Sequence, residues 1–117
     1  MQNRPTAVEL AEAVRSFLEN EIGPALVDPR LRFRTLVAAN ALSILGRDLA
    51  LGPELLRQEV ELLSKLLDMK GDVLALNVEL CRRIRRGEPP SGTLQVLRQI
   101  ADLKLRISSP KYLERGP

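Results

Sequence analysis

The 117-residue chain has no histidine, no tryptophan and a single cysteine, Cys81. Without imidazole, Ser-His-Asp and Cys-His nucleophilic sites have no base, and one thiol without histidine cannot complete the usual zinc spheres. A lone cysteine forms no internal disulfide, so the thiol count does not oppose a reducing compartment. Aromatic residues amount to 3%, namely Phe17, Phe33 and Tyr112. They are too sparse to interleave with basic side chains as a stacking platform for nucleic acid. Long apolar runs are also missing. No stretch approaches the ~20 residues of a membrane span, and the opening "MQNRPTAVELAEAV" lacks the basic and apolar regions of a secretory leader. A cytoplasmic chain with no membrane segment is therefore expected. Glycines stand singly at segment ends or, as Gly46, inside a segment, so no glycine-rich phosphate loop opens a helix and no cofactor is expected.

What the chain does have is aliphatic residues in helical rhythm. Hydrophobic residues make up 44% and charged residues 28%, the balance of a chain that folds around its own core. Leucine recurs where strands would favour β-branched and aromatic residues, which points to an all-α class. The net charge of +3 is unevenly placed: residues 1–28 carry −3 and residues 91–117 carry +3. Arginine outnumbers lysine 14 to 4.

Five amphipathic segments follow from the periodicity, forming one helical domain over residues 1–117. The first, about 7–22, opens with Thr6 and Glu9 at capping-box spacing and is expected to stop at Gly23-Pro24. The second, about 29–51, has Asp28 as N-cap and Pro29 at its first position, with Gly52-Pro53 as the expected stop. Leu31, Ala38, Leu42, Leu45 and Leu49 form one stripe on it, and Phe33, Val37, Ala41 and Ile44 widen that stripe to about half the circumference. The third, about 53–69, carries leucines on two sides. The fourth, about 73–86, starts from Asp72, turns Val73, Leu76, Leu80 and Ile84 inward and stops at Gly87. The fifth, about 93–107, follows the loop "GEPPSG", buries Val96, Ile100, Leu103 and Ile107, and ends before "SSP". The wide apolar arcs of the second and third segments exceed what a small bundle covers, so self-association is expected.

Candidate contact residues are polar groups at odds with this pattern. Asn77 falls inside the apolar arc of the fourth segment, where a buried amide must find partners: a link to another asparagine or to the backbone of another helix that fixes the packing register is expected, with a ligand or partner contact as the alternative. Asn40 borders the wide face of the second segment, in line with Arg47. Glu59 lies between two leucine faces and is expected to pair with an arginine. Arg82, Arg83, Arg85 and Arg86 fan out over the last turns of the fourth segment, where positive charge offsets the helix dipole; a partner's carboxylates or an anion are the functional reading. Cys81, at the margin of the inward arc, is expected to behave as a small core hydrophobe. The carboxylates Glu9, Glu12 and Glu19 sit on a solvated face, which disfavours a catalytic pair.

Four stretches, "RPTAVELAEAVRSFL", "RTLVAANALSILGRDLALG", "ALNVELCRRIRRG" and "SSPKYL", resemble a family of small bacterial helical domains of unknown function. The similarity runs over nearly the whole chain and rests on helix-and-cap patterns. Members of that family are often encoded beside, or fused to, aminoglycoside-phosphotransferase-like kinases and acyl-CoA dehydrogenases. The resemblance thus implies an accessory role near acyl-CoA or phosphotransferase-type metabolism, and it brings no catalytic residue with it.

Together these readings give a five-helix, non-catalytic interaction module, either a homo-oligomer or an accessory subunit of an acyl-CoA dehydrogenase-like or phosphotransferase-like enzyme. Two alternatives stand beside it. One is nucleic-acid binding through the four arginines and the basic fifth segment, with Lys104 and Arg106 on the same surface. The other is a carrier with an apolar pocket ending at Asn40 or Asn77.

Overall fold

The computed structural model describes residues 4–114, and among them there are helices and no strands. In chain order these are α1 (Ala7–Phe17), a π turn (Leu18–Ile22), α2 (Gly23–Ala25), α3 (Pro29–Leu67), α4 (Val73–Arg85), α5 (Thr93–Ser108) and α6 (Pro110–Glu114). The chain divides into two compact units, one up to Leu51 and one from Gly52.

The helix starts follow the local chemistry of the sequence. The Thr6 hydroxyl accepts from the Glu9 amide at 3.1 Å while the Glu9 carboxylate accepts from the Thr6 amide at 3.2 Å, the reciprocal capping box. Asp28 accepts from the Arg30 amide at 2.9 Å, and Asp72 accepts from the Ala75 amide at 2.8 Å.

Two expected stops are not stops. At Gly23-Pro24 the helix widens into the π turn, with the Gly23 amide donating to the Leu18 carbonyl, and the helical path continues to Ala25 before Leu26 becomes extended. A proline in an α-helix deletes one donor and crowds the carbonyl four residues back. A π turn ahead of Pro24 changes the hydrogen-bond register at that point. At Gly52-Pro53 the helix does not end at all: α3 runs on for 39 residues with Pro53 inside it. Much of the barrier to a helical residue before proline is the clash of its Cβ with the proline ring, and Gly52 has no Cβ. The expected second and third helices are one.

The first unit holds α1, the π turn, α2 and α3 up to Leu51. Its helices are antiparallel: Val8 and Glu12 share a groove with Gly46 and Ala50, while Glu19 shares one with Arg32 and Leu36. The side of α3 toward α1 is built from small residues, with Ala39 buried and Thr35, Ser43 and Gly46 half-buried, and Ala11 is the buried residue of α1. Arg32 closes the turn by donating to the Leu26 carbonyl through Nε at 3.2 Å and Nη2 at 2.6 Å.

The second unit contains the larger core. Leu63 and Leu67 of α3, Leu76 and Leu80 of α4, and Ile100 of α5 form one buried cluster, flanked by Val60, Met69, Val73 and Val96. These are the i, i+4 positions the periodicity marks for burial. Leu63 and Leu76 are wholly buried, each stabilising the fold by roughly 1.5–3 kcal/mol. Ile84, expected inward, is 43% exposed.

α3 and α4 end on the same device with different residues. Past α3, Asp68 takes a left-handed φ of 52° and the Met69 amide returns to the Ser64 carbonyl at 3.2 Å. Past α4, Gly87 has φ 73° and the Glu88 amide returns to the Arg83 carbonyl at 3.0 Å. Both are Schellman motifs. The stop expected at Gly87 is observed, whereas α3 ends two residues before the expected Met69.

Candidate functional site

The candidate residues divide between the two units. In the first, Asn40 is exposed on α3, and Arg47 is half-buried beside Val8, Glu12, Leu42, Ser43 and Gly46 around a groove of about 380 Å³. A second groove in this unit, about 290 Å³, lies beside the π turn and is lined by Glu19, Gly23, Pro24, Arg32 and Leu36.

In the second unit Glu59 is 8% exposed, the buried charged residue among the leucines of α3. Its Oε2 lies 3.8 Å from Nζ of Lys104 on α5. The expected arginine partner is thus a lysine, and the pair lies within one chain. Lys104 reaches Glu59 because the second half of α3 and α5 lie side by side. Gln58, Glu61, Leu62 and Lys65 of α3 and Gln99, Asp102, Leu103 and Arg106 of α5, each set at i, i+3, i+4, i+7, line a groove of about 320 Å³ along that seam. Its floor is leucine and its walls carry both signs of charge.

Asn77 is half-buried, and its Nδ2 donates to the Val73 carbonyl at 2.9 Å. That bond lies within α4, four residues back, and replaces the expected link to another helix. None of the three grooves contains Asn40 or Asn77.

The four arginines separate into two pairs. Arg82 and Arg83 converge on Glu79, with Nε of Arg82 donating at 2.8 Å and Nε of Arg83 at 2.7 Å. Arg83 also donates through Nη2 to the carbonyl of Leu67, the last residue of α3, at 3.3 Å. It therefore satisfies a helix-end carbonyl that has no partner within its helix. The hydrogen bonds from Arg83 and then Arg82 hold the Glu79 carboxyl below its ordinary value. Arg85 and Arg86 are exposed, and their side chains make no ion pair with a described residue. Glu79 went unnoticed in the sequence, although its spacing to both arginines, i+3 and i+4, is legible there.

Lys104 and Arg106 stand near the C-terminal end of α5, 11 and 13 residues, or about 16–20 Å of helix, from Thr93, the first residue of its N-terminal turn. The arginines of α4 precede the loop that leads into that N-terminal turn. Cys81 is exposed, contrary to the expected core placement; on α4 it follows Leu80 by one residue and so faces about 100° away from the buried leucine. Among the described residues no group of three or more Cys, Asp or Glu side chains is placed to hold a metal ion, and no helix is long and apolar enough to cross a membrane.

On the first unit, a strip of half-exposed aliphatic and aromatic side chains is left uncovered by its own packing, as are Phe33, Leu36 and Val37 elsewhere on α3. Leu10, Val14 and Phe17 of α1 are 52%, 48% and 47% exposed, and Leu31, Leu45 and Leu49 of α3 are 46%, 47% and 41% exposed.

Neither a curated protein nor a solved structure matches the chain. Residues 24–112, from Pro24 in α2 to Tyr112 within α6, match a family described as a domain of unknown function, DUF6285, and the chain belongs to that family.

Proposed function

We propose that the whole chain acts as one cytoplasmic, non-catalytic helical interaction module that assembles with itself or serves as an accessory subunit of an acyl-CoA dehydrogenase-like or phosphotransferase-like enzyme. One observation carries this reading: the first unit leaves most of its large apolar side chains half in water, while the apolar residues it buries are the alanines Ala11 and Ala39. A helical hairpin with so little interior gains most of its stability from what packs against it. Exposed apolar surface of this extent marks a protein contact far more often than a reaction site. The polar groups also favour contact over catalysis. Glu12, Glu54 and Glu79 are each engaged by an arginine on the same helix, and Glu59 faces Lys104. The enzyme class of the partner rests on the family resemblance.

The test is affinity purification of the tagged chain at its native expression level in the native host. A stoichiometric enzyme of either class, or a stoichiometric second copy of the chain, is expected to co-elute. A chain that elutes alone and sediments as a monomer at tens of micromolar would overturn the reading.

A further inference from the structure

We propose that the face formed by α1 and the first part of α3 is the seat of a second copy of this chain, joined about a two-fold axis at Ala41 to make a four-helix bundle. This rests on the module reading and commits it to one surface and one register.

The pattern on both helices is a heptad seam. On α3 the residues Leu31, Thr35, Ala38, Leu42, Leu45 and Leu49 alternate steps of four and three. On α1, Ala7, Leu10, Val14 and Phe17 do the same. Steps of this kind make a narrow stripe that packs knobs into holes on a partner helix. In the antiparallel hairpin, with Ala11 and Ala39 in the shared contact, the two stripes turn to the same side. The six larger half-exposed side chains of that side each leave on the order of 80–100 Å² in water, and with Ala7, Ala38 and Leu42 this approaches the ~800 Å² per partner of a stable dimer.

The register follows from small residues and charge. The row of α3 beside the stripe, away from α1, reads Arg34, Ala41, Asp48, one residue per heptad. When two such helices meet antiparallel with Ala41 against its own copy, Arg34 of each faces Asp48 of the other. The same alignment sets Leu31 against Leu49, Thr35 against Leu45 and Ala38 against Leu42, a small residue opposite a large one in the two inner layers. Alanine at the axis permits close approach. Arg34 and Asp48 are exposed and make no ion pair with a described residue of their own chain, so both charges are available across the axis. A self-complementary patch of this sort is what an isologous two-fold contact requires.

The experiment is sedimentation equilibrium of the full chain at low salt, comparing wild type with Arg34→Asp, Asp48→Arg, the double reversal and Leu45→Asp, with circular dichroism as the folding control. Wild type is expected to dimerise, each single reversal to weaken the dimer roughly tenfold or more, and the double reversal to restore it. Leu45→Asp should give a helical monomer. A wild-type monomer at 50 µM would overturn this inference while leaving the accessory-subunit reading to the purification test. A dimer indifferent to the single reversals or to Leu45→Asp would overturn the assigned face and leave self-association standing.

Discussion

Asp68 holds the left-handed position that ends α3, and replacing it separates three contributions to a helix terminus. An L-residue in this region costs roughly 1–2 kcal/mol, with aspartate at the low end because its short polar side chain tolerates the conformation. A carboxylate at a helix C-terminus faces the partial negative end of the dipole, which costs about 0.3–1 kcal/mol at an exposed site. Asp68 is exposed and makes no ion pair with a described residue to offset this. Glycine removes both costs but carries about 0.5–1 kcal/mol of extra freedom in the unfolded chain.

Asp68→Gly is therefore expected to stabilise by about 0.5–1 kcal/mol, a rise of roughly 0.3–0.5 M in the urea midpoint at a slope near 2 kcal/mol/M. Asp68→Asn removes the charge alone and should gain about 0.3–0.5 kcal/mol, the low end of the dipole term. Asp68→Ala removes the charge but places a Cβ without a polar tip in the left-handed region, so its midpoint should fall below that of the glycine variant by the equivalent of about 1 kcal/mol. Urea unfolding followed by circular dichroism gives all three. An alanine variant as stable as the glycine variant would show that φ at residue 68 is not left-handed and that the Schellman closure from Met69 to Ser64 is not made.

Leu76, wholly buried between α3 and α5, should lose about 2–5 kcal/mol on replacement by alanine, read as a lower thermal or urea midpoint. Asn77→Ala should change stability by less than about 0.5 kcal/mol, because the Val73 carbonyl keeps its helical donor and alanine is the better helix former. Gly46→Ala, whose added Cβ meets nothing within 4 Å, should stabilise by about 0.5–1 kcal/mol. Acid should reveal Glu79: a carboxyl held below its ordinary value of 4.5 binds fewer protons folded than unfolded, so its contribution is present above that value and lost as pH falls through the folded one. Stability measured from pH 7 to pH 3 should therefore decline at the acid end, and Glu79→Gln should flatten part of that decline. Cys81, exposed on α4, should take up one equivalent of maleimide in the native state, and Cys81→Ser should leave the midpoint nearly unmoved.

The all-α class and most of the second unit's core were legible in the sequence, because burial of Leu63, Leu67, Leu76, Leu80, Ile100 and Leu103 follows a period that helix geometry imposes. Capping at Thr6, Asp28 and Asp72 was legible for the same reason: a side-chain oxygen and an amide two or three residues on are a local matter. What the sequence hid was how two proline signals resolve. Gly23-Pro24 and Gly52-Pro53 look alike, yet one sits beyond a π turn and the other inside an uninterrupted helix. The outcome depends on packing beyond the reach of a local rule. The second signal still marks something, since the division between the two compact units falls at Leu51 and Gly52. Punctuation in the sequence located a boundary of contacts inside a helix that runs on.

The arginine row shows the same limit at the candidate site. On a helical wheel Arg82, Arg83, Arg85 and Arg86 form one basic fan, but a wheel shows direction and omits reach. Arg83 is long enough to span from Glu79 on its own helix to the Leu67 carbonyl at the end of another, so its charge is used twice inside the unit. Arg82 shares the same carboxylate. Two of the four positive charges are thereby half-neutralised, which leaves Arg85 and Arg86 as the exposed arginines of the fan that make no ion pair with a described residue. The apolar side of the first unit points the other way: the apolar residues that unit buries are Ala11 and Ala39, while Leu10, Leu31, Leu45 and Leu49 stay half in water. If Arg83→Ala loosens the fold while Arg85→Ala and Arg86→Ala do not, as the Leu67 contact requires, the fan is a structural clamp with two solvated neighbours. Equal destabilisation by all three changes would mean that the contact with α3 is not formed.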